Sequence, residues 1–339
     1  MRKGHVAVVA AFALLLATSA GASPGFAKGS ATSIRASVRV GVVLKGLDNP
    51  FFVAMYEGAR GEVGRRHVVA DFRAATDVDD ARGQAARTRT LVQRGNHDCY
   101  VLNPISGTNL IPGFRGVKRP VVNVDSPIDR VAARRAGMRI DTYIGTDDAA
   151  AGELAATGMA SALGGRGEVA LVGGYAVGST LRLGGFTRGV VGTQIRIVAR
   201  ANAGYDRARA QLAARRILRQ HPRIAGFFAA NDVMALGIAD AVQAAGKRGA
   251  VQVIGMDAIP AALDAVRAGV LTGTVAQYPY VMGRMAIEAC IAAARGAKLP
   301  PRVNTPIVLV TKKNLARASS AFPMPPRPYV DPFARLLHG

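Results

Sequence analysis

The chain has 339 residues, enough for two domains of ordinary size, and half of its residues are hydrophobic. Its formal charge of +22 raises the question of nucleic-acid binding. Only eight of the 44 basic residues are Lys, and the Arg residues are scattered through an Ala-rich chain without an aromatic-interleaved basic stripe. We therefore expect no nucleic-acid partner.

The first 22 residues have the pattern of a secretory signal peptide. Arg2 and Lys3 give a basic start, and the apolar segment at 6–17 that follows is too short to span a membrane. Small residues at 20–22 fit a signal peptidase site, so we expect an exported mature chain that begins near Ser23. Because no Cys follows the apolar segment, we do not expect a lipid anchor.

The next strand and helix meet at a short turn with distinctive residues. An apolar, β-branched run at 38–44 predicts a buried strand. Apolar spacing from position 51 onward predicts a helix, with Asn49 as N-cap and Pro50 in the first position. Ligands of open α/β sheets bind at such carboxyl ends of strands. Phe51 and Phe52 are therefore either core residues or an aromatic face for a ligand, and the sequence leaves both open.

Strands and helices alternate through the rest of the core. Further strands are predicted at 67–72, 99–102, 121–124, 143–145, 169–172, 195–199, 224–229, 251–255, 271–276 and 307–310. Further helices are predicted at 78–94, 109–116, 147–163, 181–191, 205–220, 233–245, 260–268 and 280–294. This alternation predicts an α/β protein with parallel sheets covered by helices on both faces, and the number of strands indicates two such doubly wound lobes.

Two features fall outside this alternation. Five Pro residues lie between 323 and 332, so we expect residues 319–339 to form a loose, Pro-rich, extended tail outside the fold. Cys99 and Cys290 are far apart in sequence. They can pair in an oxidising compartment, or they can be two buried thiols.

Polar residues follow the predicted strands repeatedly, at positions where ligands bind in this architecture. They are Asn49, Asp125, Asn231, Asp257 and Gln277. Asn231 is equally explained as a helix cap, whereas Asp125 and Asp257 end apolar strands without obviously starting a helix. Carboxylates and amides, together with Arg and aromatic residues, supply the donors and acceptors that hydroxyl groups require.

The sequence contains no motif of a common enzyme or cofactor site. The five His have no metal-ligand spacing, and G-x-S-x-G, H-E-x-x-H and C-x-x-C are missing. The glycine-rich run at 173–180 is similar to a phosphate loop in spacing, but Ser179 stands where a Lys must reach the phosphates. We expect no metal, no cofactor and no catalytic residue.

Four segments resemble, in the same order, the periplasmic sugar-binding proteins of the ribose-binding type, which are type I periplasmic binding proteins. They are Leu-Asp-Asn-Pro-Phe-Phe at 47–52, Asn-Asp-Val-Met-Ala-Leu-Gly at 231–237, Val-Ile-Gly-Met-Asp at 253–257 and Ala-Gln-Tyr-Pro at 276–279. The similarity extends over roughly 38–314. It implies two lobes joined by a three-segment hinge, which close on a sugar and deliver it to the permease and ATPase of an ABC importer. Transcriptional repressors share this fold but begin with a helix-turn-helix, where this chain has the signal-like segment.

The resemblance also implies a division into lobes and a location. The N-terminal lobe would comprise 34–144 and 278–306, and the C-terminal lobe 145–277 and 307–318. The protein would be a periplasmic monomer that binds a pentose, a hexose or a related polyol. One alternative is a periplasmic sensor component that presents its ligand to a membrane chemoreceptor or sensor kinase. Another is an enzyme that acts on sugars through a pair of carboxylates, although carboxylates are also common in binding clefts.

The resemblance implies a definite set of ligand-binding residues. Phe52 would stack on the sugar ring with Phe51 beside it, and Tyr205 would cover the opposite wall. Arg182 matches an arginine of the family because it stands four residues before Phe186. The remaining polar contacts would come from Asn49, Asp125, Asn231, Asp257 and Gln277.

Two positions depart from the ribose-binding pattern. Ser126 stands where those proteins have an Arg, and Lys45 stands where they have a small hydroxyl residue. Because Lys offers three rotatable donors and Arg a rigid bidentate set, we expect a ligand other than ribose, with a different hydroxyl pattern, or a polyol or sugar acid. Alternatively, Lys45 pairs with Asp48 or Asp125 and does not meet the ligand.

Overall fold

The structure is a computed structural model, and it describes residues 37–337. The predicted signal peptide at 1–22 therefore lies outside the described residues. Within 37–337, none of the helices combines the length and the hydropathy needed to cross a membrane.

The first sheet of the described chain has six strands. They are β1 (Arg39–Leu44), β2 (Val69–Ala74), β3 (Cys99–Leu102), β4 (Val121–Val124), β5 (Thr142–Gly145) and β11 (Arg302–Asn304). Their spatial order is β11-β5-β4-β3-β1-β2, and each recorded pairing is parallel. Strands β3, β4 and β5 are buried throughout, as expected for a parallel sheet covered on both faces.

The second sheet in the described range also has six strands. They are β6 (Arg166–Gly173), β7 (Gln194–Asn202), β8 (Ile224–Ala229), β9 (Gln252–Asp257), β10 (Gly273–Ala276) and β12 (Val308–Thr311). The order β12-β10-β9-β8-β6-β7 repeats the arrangement of the first sheet. The prediction of two parallel-sheet α/β lobes is confirmed.

Strand β12 is the one departure from parallel pairing among the described strands. It runs antiparallel to β10, with Val308 opposite Ala276 and Thr311 opposite Gly273. The chain leaves β11 at its carboxyl end and crosses directly into the second lobe within three residues. It therefore arrives at the carboxyl edge of the second sheet and must run back along β10.

Helices cover both sheets of the described chain. They are α1 (Pro50–Arg66), α2 (Ala81–Gln93), α3 (Arg130–Arg135), α4 (Asp148–Leu163), α5 (Val177–Gly189), α6 (Arg207–Gln220), α7 (Asp232–Ala244), α8 (Pro260–Arg267), α9 (Pro279–Ala294), α10 (Leu315–Ala321) and α11 (Pro332–Leu336). The helix predicted at 109–116 is reduced to one turn of 3-10 helix, Ile111–Phe114, because Pro112 and two nearby Gly residues disfavour a longer α-helix. Helix α9 returns to the first lobe and packs on α1, β3 and β4.

Within the described residues the chain passes between the two sheets three times, after β5, after β10 and between β11 and β12. The crossings are held side by side by hydrogen bonds. Thr146 Oγ1 donates to Gln277 Oε1 over 2.5 Å, and the Thr305 N–H donates to the Gly145 carbonyl over 2.8 Å. Arg302 also donates to the Thr146 carbonyl. The crossings therefore form one connected hinge beside the carboxyl ends of both sheets.

The two cysteines form a disulfide between β3 and α9. Both residues are fully buried, and their Cα atoms are 5.5 Å apart. The bond joins positions separated by 191 residues, so it encloses the whole second sheet except β12. The sequence left open whether the two cysteines form a disulfide or remain buried thiols, and the structure shows the disulfide.

The expectation of a loose, extended tail at 319–339 is wrong for its described part. Helix α10 packs on α8 and β12 of the second lobe, whereas α11 packs on α9 of the first lobe. Phe333 is fully buried, and Met324 and Tyr329 pack against the core. The expectation rested on the prolines, but the aromatic and aliphatic residues between them bury enough apolar surface to dock the segment.

We expect the double variant Cys99→Ser/Cys290→Ser to fold but to lose about 2–5 kcal/mol of unfolding free energy, because the long loop is no longer closed in the unfolded chain. Urea denaturation measures this loss. Reduction of the wild-type protein should lower the midpoint to that of the double variant, and reductant should not change the double variant. Equal stability of the oxidised wild type and the double variant would contradict this expectation.

Candidate functional site

A cavity of about 400 Å³ lies at the carboxyl ends of both sheets, with residues of both lobes in its walls. All the candidate residues from the sequence line it. They are Lys45, Asn49, Phe51, Phe52, Asp125, Ser126, Arg182, Tyr205, Asn231, Asp257 and Gln277. The structure thus brings together residues that are up to 232 positions apart in the chain, which is the span from Lys45 to Gln277 (277 − 45).

The aromatic wall of the first lobe is built by the start of α1. The Asn49 side-chain oxygen accepts a hydrogen bond from the Phe51 N–H over 2.9 Å, which caps the helix. Phe51 and Phe52 pack edge to face, with ring centroids 5.2 Å apart. Both are buried against the core and both line the cavity, so the two alternatives for these residues do not exclude each other.

Lys45 lies beside this aromatic wall. Its ammonium donates to Ser126 Oγ over 2.6 Å, lies 3.6 Å from Asp125 Oδ2, and is 5.0 Å from the centre of the Phe52 ring. Burial lowers the pKa of Lys45, and the Asp125 carboxylate partly opposes this effect. Lys45 therefore pairs with Asp125, as one alternative expected, and it also faces the cavity.

Asp125 is fixed from several directions at the end of β4. Its backbone has a φ of 61°, an unusual conformation for a residue with a side chain. Asn103 Nδ2 donates to its carboxylate over 3.0 Å, and the Tyr143 hydroxyl donates to its carbonyl. Asn103 is fully buried, and its side-chain oxygen also accepts from the backbone N–H of Lys45. These bonds hold the carboxylate at one point of the cavity wall.

Arg182 is the central charge of the second lobe's wall. Its Nε donates to Asp148 Oδ1 over 2.7 Å, and its Nη1 donates to the Ala230 carbonyl over 2.7 Å. The same Nη1 lies 3.9 Å from Asp257 Oδ1. Burial by itself would lower the pKa of Arg182, but the two carboxylates outweigh it and raise the pKa. The guanidinium is therefore charged, and the neighbouring carboxylates balance its charge.

Asp257 ends β9 in a strained turn, with a φ of 121° followed by 58° at Ala258. Gln277 Nε2 donates to its carboxylate over 2.6 Å. Burial raises the pKa of Asp257 well above its ordinary value, and Arg182 opposes this rise. Because Gln277 also accepts from Thr146, the carboxylate is connected directly to the hinge.

Asn231 both caps α7 and lines the cavity. Its side-chain oxygen accepts from the Met234 N–H over 3.0 Å. The next residue, Asp232, is fully buried behind the wall and accepts from Thr274 Oγ1 and the Ile259 N–H. Burial raises the pKa of Asp232 to about 6. The cap and this buried carboxylate hold the turn that presents Asn231.

Tyr205 lines the cavity, and its own backbone has a φ of 64°. Its ring lies against Gly174, where any added Cβ would collide with it. Burial raises the pKa of Tyr205, so the phenol stays neutral at ordinary pH. The glycine-rich run that resembled a phosphate loop therefore serves to admit this aromatic ring, and its residues Tyr175 to Gly178 line the cavity.

The structure also adds residues that the sequence did not single out. The most important is Asp148, because it holds Arg182; it is the first residue of α4, directly after the capping Asp147. A signal for it was available in the sequence, since Asp148 lies only three residues after the end of β5. The further lining residues are Val78, Asp79, Ile105, Ser106, Gly107, Pro127, Tyr175, Ala176, Val177 and Gly178.

The charges of the cavity define what it can hold. Lys45 is paired with Asp125, and Arg182 is paired with Asp148 and Asp257. The described residues hold no group of His, Cys, Asp and Glu arranged for a metal ion. Amides, carboxylates, cations and two aromatic walls offer both donors and acceptors together with apolar faces, which suits a neutral ligand that carries several hydroxyl groups.

Comparison with known proteins agrees with this chemistry. Residues 40–298 match a family model described as a periplasmic binding protein domain. The chain is 35% identical over 282 residues to the D-allose-binding periplasmic protein of Escherichia coli K12. This alignment covers 81% of this chain and 90% of that protein. It is 28% identical over 319 residues to the ribose import binding protein of Bacillus subtilis 168, and this alignment covers 92% of this chain and 100% of that protein.

Solved structures lead to the same family. An ABC transporter periplasmic solute binding protein from Actinobacillus succinogenes, with bound D-allose, has a TM-score of 0.78 at 28% identity, covering 83% of this chain and 99% of that one. The chain belongs to the periplasmic binding protein family, as its four motifs predicted. Because these relatives are transport binding proteins, the hypothesis of an enzyme is not supported.

We expect Arg182→Met to cost about 3–5 kcal/mol of unfolding free energy, because it leaves Asp148 buried without its cation. Arg188→Met is the matched control. Arg188 lies on the same helix and pairs with Glu153 of α4, but both side chains are exposed, so its loss should cost less than about 1 kcal/mol. Urea denaturation of both variants measures the difference. Equal losses of unfolding free energy would show that burial does not make the Arg182 pair more important for stability than the exposed Arg188 pair.

Proposed function

We propose that this protein captures a neutral sugar between its two lobes in the periplasm and delivers it to an ABC importer. The single observation that carries this proposal is the convergence of charge-compensated carboxylates and aromatic walls from both lobes in one cavity. The named ligands of its relatives, D-allose and ribose, belong to the same chemical class.

The proposed contacts follow from the shape of a sugar ring, which has apolar C–H faces and a rim of hydroxyl groups. Phe52 and Tyr205 would cover the faces, since one lies in each lobe's wall. Asp125, Asp257 and Arg182 would satisfy the rim. Closure of the lobes would exclude water, which strengthens each hydrogen bond that is made and penalises each one that is missed.

The charges favour a neutral ligand over a sugar acid. A ligand carboxylate would need a cation, but Lys45 and Arg182 already have carboxylate partners within 3.6 Å and 2.7 Å. Adding another buried anion would leave it uncompensated, which is costly in a desolvated cavity. We therefore infer a pentose, a hexose or a polyol, and of these a ligand other than ribose.

We propose that the moving units are the lobes 34–144 with 278–306 and 145–277 with 307–318. The observation that supports these boundaries is the position of Thr146, Gln277 and Thr305 in or next to the crossings between the sheets. Rotation about these crossings would close the cavity. We further propose a monomer that works with the permease and ATPase of an importer. None of the cited relatives is named as a sensor component, so a chemoreceptor or sensor kinase is the less favoured partner.

A thermal-shift screen against pentoses, hexoses, polyols and sugar acids tests the proposed function. A ligand that binds only the folded state raises the melting temperature, and the rise grows with the logarithm of the ligand concentration divided by its Kd. We expect stabilisation by a neutral sugar or polyol at micromolar concentration. Stabilisation by sugar acids alone would overturn the proposed neutral class, and no stabilisation by any of them would overturn the proposed function.

We expect Asn231→Ala and Asp257→Ala each to weaken sugar binding by about 1–3 kcal/mol, because sugar hydroxyls lose their partners in a closed cavity. Isothermal titration calorimetry measures the loss. Asp240→Ala is the matched control, since Asp240 lies on α7 near Asn231 in sequence but forms an exposed pair with Arg207. Unchanged affinity in both site variants would mean that Asn231 and Asp257 stabilise their local turns but do not bind the sugar.

We expect Lys45→Ser to change which sugar is preferred rather than to abolish binding. The substitution removes a buried ammonium from Asp125 and Ser126, so the hydroxyl pattern that the first lobe's wall accepts must change. Binding profiles of the wild type and the variant across the screened sugars measure this. If both proteins prefer the same sugar with similar affinity, Lys45 has no part in selecting the ligand.

A further inference from the structure

The C-terminal segment connects the two lobes a further time. Helix α10 belongs to the second lobe, where Leu315 and Ala318 are buried, and α11 packs on α9 of the first lobe through the fully buried Phe333. Residues 322–331 run between them, and we refer to this stretch as the strap. The far end of the strap leads into α11, which is held on α9 by side-chain contacts that include the buried Phe333.

The far end of the strap is anchored by a charged cluster on α9. Arg284 donates to Asp331 over 2.9 Å, and its guanidinium lies 5.8 Å from the centre of the Tyr329 ring. Asp331 also caps α11 by accepting from the Phe333 N–H. The side chain of Asp331 is nearly buried, so this ion pair is shielded from solvent.

The near end of the strap lies beside residues that also line the binding site. Phe322 lines a small space of about 10 Å³ together with Phe51 of the first lobe's wall and Asp257 to Pro260 of the second lobe's wall. Pro279, at the end of the second crossing, lies in the same space. Phe322 thus borders the same space as two site residues from different lobes and a residue next to the hinge.

We propose that the strap is a fourth link between the lobes and that Phe322 is a positioning residue for both walls of the site. Held at both ends, the strap stabilises the arrangement in which the two walls share one cavity. Loosening either end lets the lobes sample other angles, and the fraction of molecules ready to bind falls. The apparent affinity for ligand falls by the same fraction.

The anchor contains a carboxyl pair that makes it sensitive to pH. Glu288 of α9 accepts from Arg66 over 3.2 Å, and burial together with the Asp331 carboxylate raises the pKa of Glu288 to about 8. Glu288 is therefore mostly protonated at neutral pH, whereas Asp331 is ionised. The other charged or titratable groups around it are Glu62, Arg65, Arg66, Arg284 and Tyr329.

The sign of the pH effect follows from the raised pKa of Glu288. The stabilising contribution of its protonated form is complete below the ordinary carboxyl pKa of 4.5, and it is lost as the pH rises through about 8. Above that value both Glu288 and Asp331 carry a negative charge at the anchor. Glu288→Gln has the same shape and stays neutral at every pH, so it should keep the strap attached at high pH.

The experiment measures the distance between the lobes in the ligand-free protein. Nitroxide labels are placed on introduced cysteines at Val131 of α3 and Leu212 of α6, which are exposed and lie outside the cavity. Pulsed dipolar spectroscopy at pH 7 compares the wild type with Phe322→Ala and with Asp331→Asn, whose Asn can still cap α11. Val330→Ala is the matched control, because Val330 lies on the strap with an exposed side chain.

We expect Phe322→Ala and Asp331→Asn to broaden the distance distribution and to raise the Kd for the sugar found in the screen by about two- to tenfold. The control should match the wild type in both measurements. The wild type should also broaden at pH 9, and Glu288→Gln should not. Unchanged distances in both strap variants would overturn the proposal, whether or not a sugar ligand is found, because the distances are measured without ligand.

Discussion

The buried guanidinium of Arg182 is the constraint on which the second lobe's half of the cavity depends. A charged group in this position requires compensation, and the structure provides it from three separate elements: Asp148 at the start of α4, the Ala230 carbonyl after β8, and Asp257 at the end of β9. Each partner sits at the carboxyl edge of the sheet. The requirement to neutralise one cation therefore fixes the relative positions of the turns that form this wall.

The same requirement extends to the hinge and to the first lobe. Asp257 is bonded to Gln277, and Gln277 is bonded to Thr146, so the carboxylate is linked to two crossings of the chain. On the opposite wall, Lys45 and Asp125 compensate each other in the same way. Because both cations of these walls are already paired with carboxylates, a ligand carboxylate would gain little from them, which supports the proposal of a neutral sugar over a sugar acid.

Much of the fold could be predicted from the sequence because its signals are local. Apolar runs, Pro50 after a capping Asn49, and polar residues at strand ends indicated the elements and the edge at which they meet. The candidate residues came from motifs and resemblance, and the structure gathers all of them in one cavity. Whether they contact a sugar is a prediction.

What could not be predicted depends on contacts between distant segments. The direction of β12 follows from a direct crossing between lobes, and the pairing of Cys99 with Cys290 follows from the packing of α9 on β3. The docking of the C-terminal segment depends on Phe333 reaching a buried place on the first lobe. Composition alone indicated a loose tail, because it reports the prolines but not the surface that receives the residues between them.

A crystal structure of the protein with its preferred sugar tests the central claim most directly. The account predicts one sugar ring between Phe52 and Tyr205, with hydroxyl groups bonded to Asp125 of the first lobe and to Asp257 and Arg182 of the second. A sugar bound to one lobe alone, or bound outside this cavity, would contradict it.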